Sequence, residues 1–508
     1  MASGPPSDFR RSHPRENPPA NGASASHVAA RLDARNPHAI SRAAKIARPA
    51  LVYAKLHAQR FLRELVPFLS FPSISNSAKH AGQVRECASW LADHLKQIGL
   101  TNACTVQTAG HPIVYASSST LANHSTLLIY GHYDVQPVDP IREWHSPPFS
   151  PTRNGDNLIA RGASDDKGQV FIHLKAIESY LAARGALPLN IKCVFEGEEE
   201  SGSLHFAEFL RQNAEELRAD FAVVSDTRML ARNRPVVIYG QRGLLSLELS
   251  VRGPRHDLHS GAFGGAIHNP AQALCEIVAQ FHRRDGTVNI PGFYEGVREN
   301  TQTEREYFAA HAPSNQKLLD DGGTQRSWGE PGYSLFERTT IRPALTINGI
   351  YGGYHGPGGK GIIPAKAVAK ISFRLVADQD PAEIECLFRR FVAKIVPPTV
   401  RASIRTLSRA RPMLMHPKHF ANHVAAWAYR KTFGTEAVFL RSGGTIPVVN
   451  SFGEILGVPT VLMGFALPDD RMHAPNEKYH LPTFHKGIAT SIWFMAGLAG
   501  MRREQPGD

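Results

Sequence analysis

Four short apolar runs in this sequence stop at loops rich in carboxylates and histidine, and helical stretches separate them. Thr126 to Tyr130 runs into Tyr130-Gly131-His132-Tyr133-Asp134-Val135-Gln136-Pro137, and Asn190 to Phe195 runs into Glu196-Gly197-Glu198-Glu199-Glu200-Ser201-Gly202. Phe221 to Val224 is followed by Asp226. Thr460 to Phe465, opening after Pro459, is followed by a loop that holds Asp469, Asp470, His473 and Glu477. Apolar residues at helical spacing mark Gly82 to Ile98, Gln169 to Arg184, Ser203 to Leu217, about His419 to Phe433, and Thr483 to Leu498. This alternation predicts an α/β sheet flanked by helices, with the loops at the carboxyl ends of strands as the expected active-site edge.

A chain of 508 residues exceeds the roughly 250 to 300 residues at which one core stops growing, so more than one domain is expected. The rhythm changes between about 241 and 408. Strand-like Leu244 to Val251, a helix from Pro270 to Arg283, a long polar stretch, strand-like Ala367 to Val376 and a helix from Ala382 to Val396 read as an α+β insert. The expected division is therefore a basic extension over 1–50, a catalytic domain over 51–240 and 409–508, and an inserted domain over 241–408. The first 25 or so residues carry too few large apolar side chains to fold and are expected to be disordered. A short helix is expected from about His27 to Lys45 and another from Leu51 to Phe68, before Pro72.

The formal charge of +12 raises the question of a nucleic-acid partner. Residues 1–50 hold eight Lys and Arg against three Asp and Glu, and the remaining surplus is spread thinly, with no basic run interleaved with aromatics. Nucleic-acid binding is not expected. No apolar run approaches the roughly 20 residues that span a bilayer, and the start lacks the pattern of a secretory signal, so no membrane partner is expected. The five cysteines are scattered without a Cys-x-x-Cys pair. Neither a cysteine zinc site nor a disulfide framework is indicated, and a reducing cytoplasm is the expected location.

Each loop alone has an ordinary explanation. His132 beside a turn reads as a surface histidine, although its ring could ligate a metal while Asp134 orients it. Asp165 and Asp166, in Arg161-Gly162-Ala163-Ser164-Asp165-Asp166-Lys167-Gly168, stand where carboxylates cap a helix start. Four carboxylates between Glu196 and Glu200 repel one another unless solvent or cations compensate them. The sharper reading places a metal ligand there beside a carboxylate fit for general-base chemistry. Taken together, the loops offer imidazole and carboxylate donors of the kind that catalytic zinc uses.

In this order, the segments resemble a family of di-zinc peptidases that includes aminoacylases, carboxypeptidase G and the cytosolic non-specific dipeptidase or carnosinase group. The likeness runs from about Leu51 to the C-terminus. It is strongest toward the dipeptidases through Gly131 to Pro137, Ser164 to Gly168, Glu199-Glu200-Ser201-Gly202-Ser203, Asp257-Leu258-His259-Ser260-Gly261 and Gly443-Gly444-Thr445-Ile446-Pro447. The resemblance implies a zinc-peptidase-like catalytic domain with a mixed sheet, and an inserted lid that also dimerises.

It further implies two Zn2+ per subunit, with Mn2+ or Co2+ as substitutes. His132 and Asp226 would hold one ion, Glu200 and His473 the other, and Asp165 would bridge both. Glu199 would be the general base, Asp134 would orient His132, and the Asp165-Asp166 peptide would be cis. His259 would reach the partner's site in a homodimer and stabilise the oxyanion, while Arg374, Gly444 and Thr445 would hold the substrate. The expected activity is hydrolysis of the amide bond of dipeptides or similar small substrates. The alternatives are an N-acyl-amino-acid amidohydrolase on the same scaffold and a non-catalytic oligomeric binding protein. Ser408-Arg409-Ala410-Arg411-Pro412-Met413 departs from the dipeptidase pattern, which bears on substrate more than on chemistry. The stretch Gly352 to Gly361 lacks the Gly-Lys-Ser/Thr ending of a phosphate loop and is expected to be a lid loop.

Overall fold

The computed structural model describes residues 37–500. The expected disorder of the first residues, and the part of the first predicted helix before residue 37, lie outside that range.

The main sheet has nine strands and mixed direction. At its centre Thr126–His132 runs parallel to Asn190–Glu196 on one side and to Phe221–Val224 on the other. Thr460–Leu462 continues the parallel set beside Phe221–Val224. Cys104–Val106 and Ile113–Ser117 close one edge in antiparallel fashion. Val236–Gln241, with Met413–Leu414 and Val438–Ser442, forms the other. The central strands are apolar almost throughout, as strands covered on both faces must be.

One face is covered by Lys167–Arg184, Phe420–Phe433 and Leu481–Ala499. Their Phe171, Tyr429 and Phe484 join Ile129 and Phe465 in one core. The helix Lys167–Arg184 is buried over most of its length, so its sequence shows little amphipathic contrast. The first two helices are Pro37–Leu56 and Ala58–Ser70, which break at His57 rather than between Lys45 and Leu51 as expected. Ala43, Ala47 and Ala50 form a continuous buried stripe across that expected gap, and their packing outweighs the hydrogen bond lost at Pro49.

A second, four-stranded antiparallel sheet orders Ala344–Gly352, Lys366–Leu375, Gly243–Arg252 and Arg401–Ala410. Pro270–Val278 and Pro381–Ile395 cover one face with Leu274, Ile277, Phe388 and Val392. The strand Arg401–Ala410, absent from the sequence reading, is an exposed edge whose residues are more polar than a buried strand's. The segment Ser408–Met413 thus finishes this sheet and crosses back to the main one. The helix expected over Ser203–Leu217 is only Phe206–Gln212, and the one expected to reach Arg283 stops at Val278. The long polar stretch contains Gln302–His311, Asn315–Asp321 and Leu335–Thr340, each begun by a Thr or Ser cap. Phe308 and Phe336 from these helices pack with Ile238 and Tyr239 of the main sheet. Among the described residues no helix is long and apolar enough to cross a membrane.

Candidate metal centre

Parallel pairing decides what meets at the sheet edge. His132 lies opposite Glu196, and Tyr130 opposite Val224. The chain therefore leaves three neighbouring strands at one level and carries His132, the turn Glu199–Ser201 and Asp226 to the same place. Thr460–Leu462 delivers the loop to His473 at that edge.

His132 is fully buried, and its Nε2 lies 3.1 Å from Asp165 Oδ1. His473 Nε2 lies 2.9 Å from Asp165 Oδ2 and 3.3 Å from Glu200 Oε1. Two groups of ligand atoms result, His132 with Asp165 and Asp226, and Asp165 with Glu200 and His473, each within 4.8 Å. Asp165 belongs to both. His473 adopts φ 64° and Arg471 φ 56°, so the loop turns through the left-handed region where it presents the imidazole. The Asp165-Asp166 peptide is cis.

The electrostatics are those of a site short of positive charge. Burial opposes ionisation of Asp165, but hydrogen bonds from His132 and His473 outweigh it and hold the carboxyl well below its usual range. Hydrogen bonds to Asp165 and Glu200 push His473 up to about 10. Burial raises Asp226 well above the ordinary carboxylate range, with Asp165 and Asp166 adding repulsion. Beyond the 3.3 Å approach of His473 Nε2, the buried Glu200 Oε1 has no hydrogen-bond partner among the described residues. A polar atom in that state, aimed at imidazole and carboxylate donors, fits a divalent cation better than a proton-shared cluster.

The glutamates divide their tasks. Glu196 accepts from the Tyr130 hydroxyl and from Ser203 Oγ at 3.0 Å. Glu198 accepts from His111 N at 3.0 Å and pairs with His205 Nδ1 at 2.8 Å. Glu200 accepts from Gln136 Nε2 at 2.7 Å. Burial lifts Glu199 to about 8, with His132 opposing and Glu200 and Asp165 reinforcing the rise. Asp134 ties the two halves together. Its carboxylate accepts from Glu199 N at 3.2 Å and Glu200 N at 3.0 Å, and its Oδ1 stands 3.4 Å from His132 Nδ1.

Asp166 occupies the expected helix-start position but makes no side-chain cap. Its Oδ2 accepts from His132 N at 3.3 Å, and burial raises the carboxyl well above its usual range. The supporting residues that the sequence reading did not single out are Glu477, Asp470 and Gln136. Glu477 accepts from Arg161 Nη1 at 2.8 Å, Gly162 N at 3.0 Å, Ser164 N at 2.9 Å and Asp165 N at 3.1 Å. Asp470 accepts from Ser164 Oγ at 2.6 Å. For Glu477 and Asp470 the signal was the match between donors in 161–165 and acids in 470–477, which only the fold brings together.

The residues expected to hold substrate fall in two places. Arg374 Nη1 donates to Thr445 Oγ1 at 2.8 Å, joining the small sheet to the main domain, and Gly444 N donates to Ser442 Oγ at 3.2 Å. His259 stands apart from the clustered ligands, exposed and paired with Ile362.

A mixed sheet that gathers a buried imidazole (His132), a more exposed one (His473) and several carboxylates at its strand ends, beside a separate antiparallel sheet, defines a metallopeptidase scaffold. The pattern of Peptidase family M20/M25/M40 matches residues 128–494, and the chain belongs to that family. It is 31% identical to the Cys-Gly metallodipeptidase dug1 of Schizosaccharomyces pombe, over 87% of this chain and 96% of that protein. It is 29% identical to the Beta-Ala-His dipeptidase of Homo sapiens, over 76% of this chain and 78% of that one. The solved structure of the di-peptidase Dug1p from Saccharomyces cerevisiae superposes with a TM-score of 0.79 at 25% identity, covering 90% of this chain and 99% of that chain.

Proposed function

We propose that this chain is a two-zinc dipeptidase acting as a homodimer. The observation that carries the reading is the pair of ligand groups sharing Asp165, with Glu199 beside them. His132 and Asp226 would hold one ion, and Glu200 and His473 the other. Bound metal would supply polarisation of the scissile carbonyl and a lowered pKa for water, and Mn2+ or Co2+ suits the same donors. Glu199 takes a proton from the attacking water and delivers it to the leaving amine. Asp134 keeps the His132 ring in place and fixes the Glu199 turn through two backbone N–H groups.

Geometry supports a role for His259 in the partner's site. Arg374 is eight residues beyond Lys366 along an extended strand, about 26 Å. His259 belongs to the Lys366 end, where Gly253 N donates to Ala365 O and Ala365 N to Asp257 Oδ1. One small sheet therefore does not bring both residues to one centre. At the same end Phe263, Ile267, Tyr351 and Tyr354 are exposed, which suits a dimer contact. The proposed lid and dimerisation domain is this sheet with its helices. The names of the relatives favour dipeptides over acylated amino acids. The test is a panel of dipeptides against N-acetyl and N-succinyl amino acids, with and without a chelator. Dipeptide cleavage abolished by the chelator is expected; cleavage of acylated amino acids alone would establish the amidohydrolase reading instead.

A further inference from the structure

The partly buried arginines of this fold are mostly matched to acids. Arg161 pairs with Glu477 at 2.8 Å, Arg342 with Glu330 at 2.5 Å and Arg441 with Glu304 at 2.6 Å. Arg242 and Arg374 differ: among the described residues neither has a carboxylate within ion-pair distance, yet they meet at one hydroxyl. Thr445 Oγ1 accepts from Arg374 Nη1 at 2.8 Å and donates to the carbonyl oxygen of Arg242 at 2.6 Å. The Arg242 guanidinium faces the other side of the same turn. Its Nε donates to Gly443 O at 3.2 Å, and its Nη1 to Arg338 O at 3.3 Å and Arg342 O at 3.2 Å.

A charge withdrawn from water is costly unless compensated, and here two partly buried charges of like sign are met only by neutral groups, three carbonyls at the Arg242 guanidinium and one hydroxyl at Arg374. Burial, with Arg374 adding repulsion, brings Arg242 down to about 9, as expected of a cation lacking an anion. The turn is packed tightly: a Cβ at Gly443 would come within 2.1 Å of Thr339 O and 3.2 Å of Arg242 Nη2. The turn therefore lies close against Thr339 O and the Arg242 guanidinium.

We infer that Arg242 is a positioning residue and the second cation of a two-arginine site for the free C-terminal carboxylate of the substrate. It sets the Gly443–Thr445 turn through Gly443 O and its own carbonyl, and it adds a fixed positive field behind Arg374. Arg374 and Thr445 make the direct contacts. This inference rests on the dipeptidase reading and extends it to a substrate requirement: peptides ending in a carboxylate, against the same peptides ending in an amide.

The test compares kcat/KM for one dipeptide and its C-terminal amide in the metal-loaded wild type, Arg242→Gln and Arg242→Lys, with metal content and thermal midpoint followed in each. Loss of a charge-assisted contribution corresponds to roughly ten- to hundredfold. The expected result is that Arg242→Gln lowers turnover of the acid by that factor, mainly through KM, and changes the amide less than about threefold. Arg242→Lys should restore part of the acid preference. Equal losses on acid and amide, or an unchanged acid preference, would overturn the inference. If the glutamine variant does not fold, the lysine variant decides alone through its acid-to-amide ratio. A wild type that cleaves acylated amino acids and not dipeptides would remove the dipeptidase reading only. The same ratio, measured on the acylated amino acid and its amide, would still decide the role of Arg242.

Discussion

Replacing Glu477 by glutamine tests whether the metal centre depends on a support outside its own ligands. The side chain is fully buried, and its two oxygens accept from Arg161 and from three backbone N–H groups in the loop that carries Asp165. Glutamine preserves the shape but removes the charge, leaves Arg161 without its anion, and points an amide donor at backbone donors. Arg161 is only 1% exposed, so it cannot turn to solvent. Breaking such a pair by removing one partner costs about 3–5 kcal/mol. Because the lost donors include Asp165 N, metal affinity should fall by roughly ten- to hundredfold as well. Burial, opposed by Arg161, raises the Glu477 carboxyl to about 7, so the comparison belongs at pH 8, where the ion pair is formed. The assay is denaturant unfolding of metal-free wild type and variant, with metal titrated into each under native conditions. A variant with unchanged midpoint and unchanged metal affinity would refute the argument that Glu477 holds the Asp165 loop.

Two other outcomes follow from the same structure. His173 is buried between Ser491 Oγ at 2.9 Å and Ser225 Oγ at 2.7 Å, and burial lowers it from 6.5 to about 4. Its unfolded form binds the proton more readily, so the stabilisation is present above pH 6.5 and is lost as pH falls through 4. The difference amounts to about 3 kcal/mol, and His173→Gln should flatten the stability profile over that window in equilibrium unfolding; an equally steep profile in the variant would sink this assignment. If His259 serves the partner, mixing inactive His259→Ala and Glu199→Ala proteins under subunit exchange should recover about a quarter of wild-type activity. No recovery, despite exchange shown by mass or fluorescence, would return His259 to a role within its own chain.

Much of this centre was legible because its residues sit where apolar runs end. The strand at 221–224 and the helix at 420–433 lay close to where periodicity placed them, and parallel pairing then brought His132, Glu199, Glu200 and Asp226 to one edge. The edge strand Arg401–Ala410 was missed because its arginines and serines face solvent, and a half-exposed edge carries no apolar run. The helices between residues 302 and 340 were hidden because they bury only a few side chains, such as Phe308 and Phe336, while Ser and Thr caps set their starts. Asp166 shows the limit of local rules. It stands at a helix N-terminus, yet its carboxylate faces His132 N, a partner 34 positions earlier that no local pattern reveals. The part that Glu477 plays was hidden for the same reason, since its donors lie more than three hundred positions away.

The account depends most on the separation between holding metal and moving a proton. The measurement that tests it is hydrolysis of a mixed dipeptide pool by zinc-loaded wild type and Glu199→Ala, with bound metal quantified in both. General acid–base groups contribute about 100- to 10,000-fold, so the wild type should cleave while the variant keeps about two metals per chain and loses activity by at least that lower factor. A wild type that holds no metal, or a variant that cleaves as well as the wild type, would contradict it.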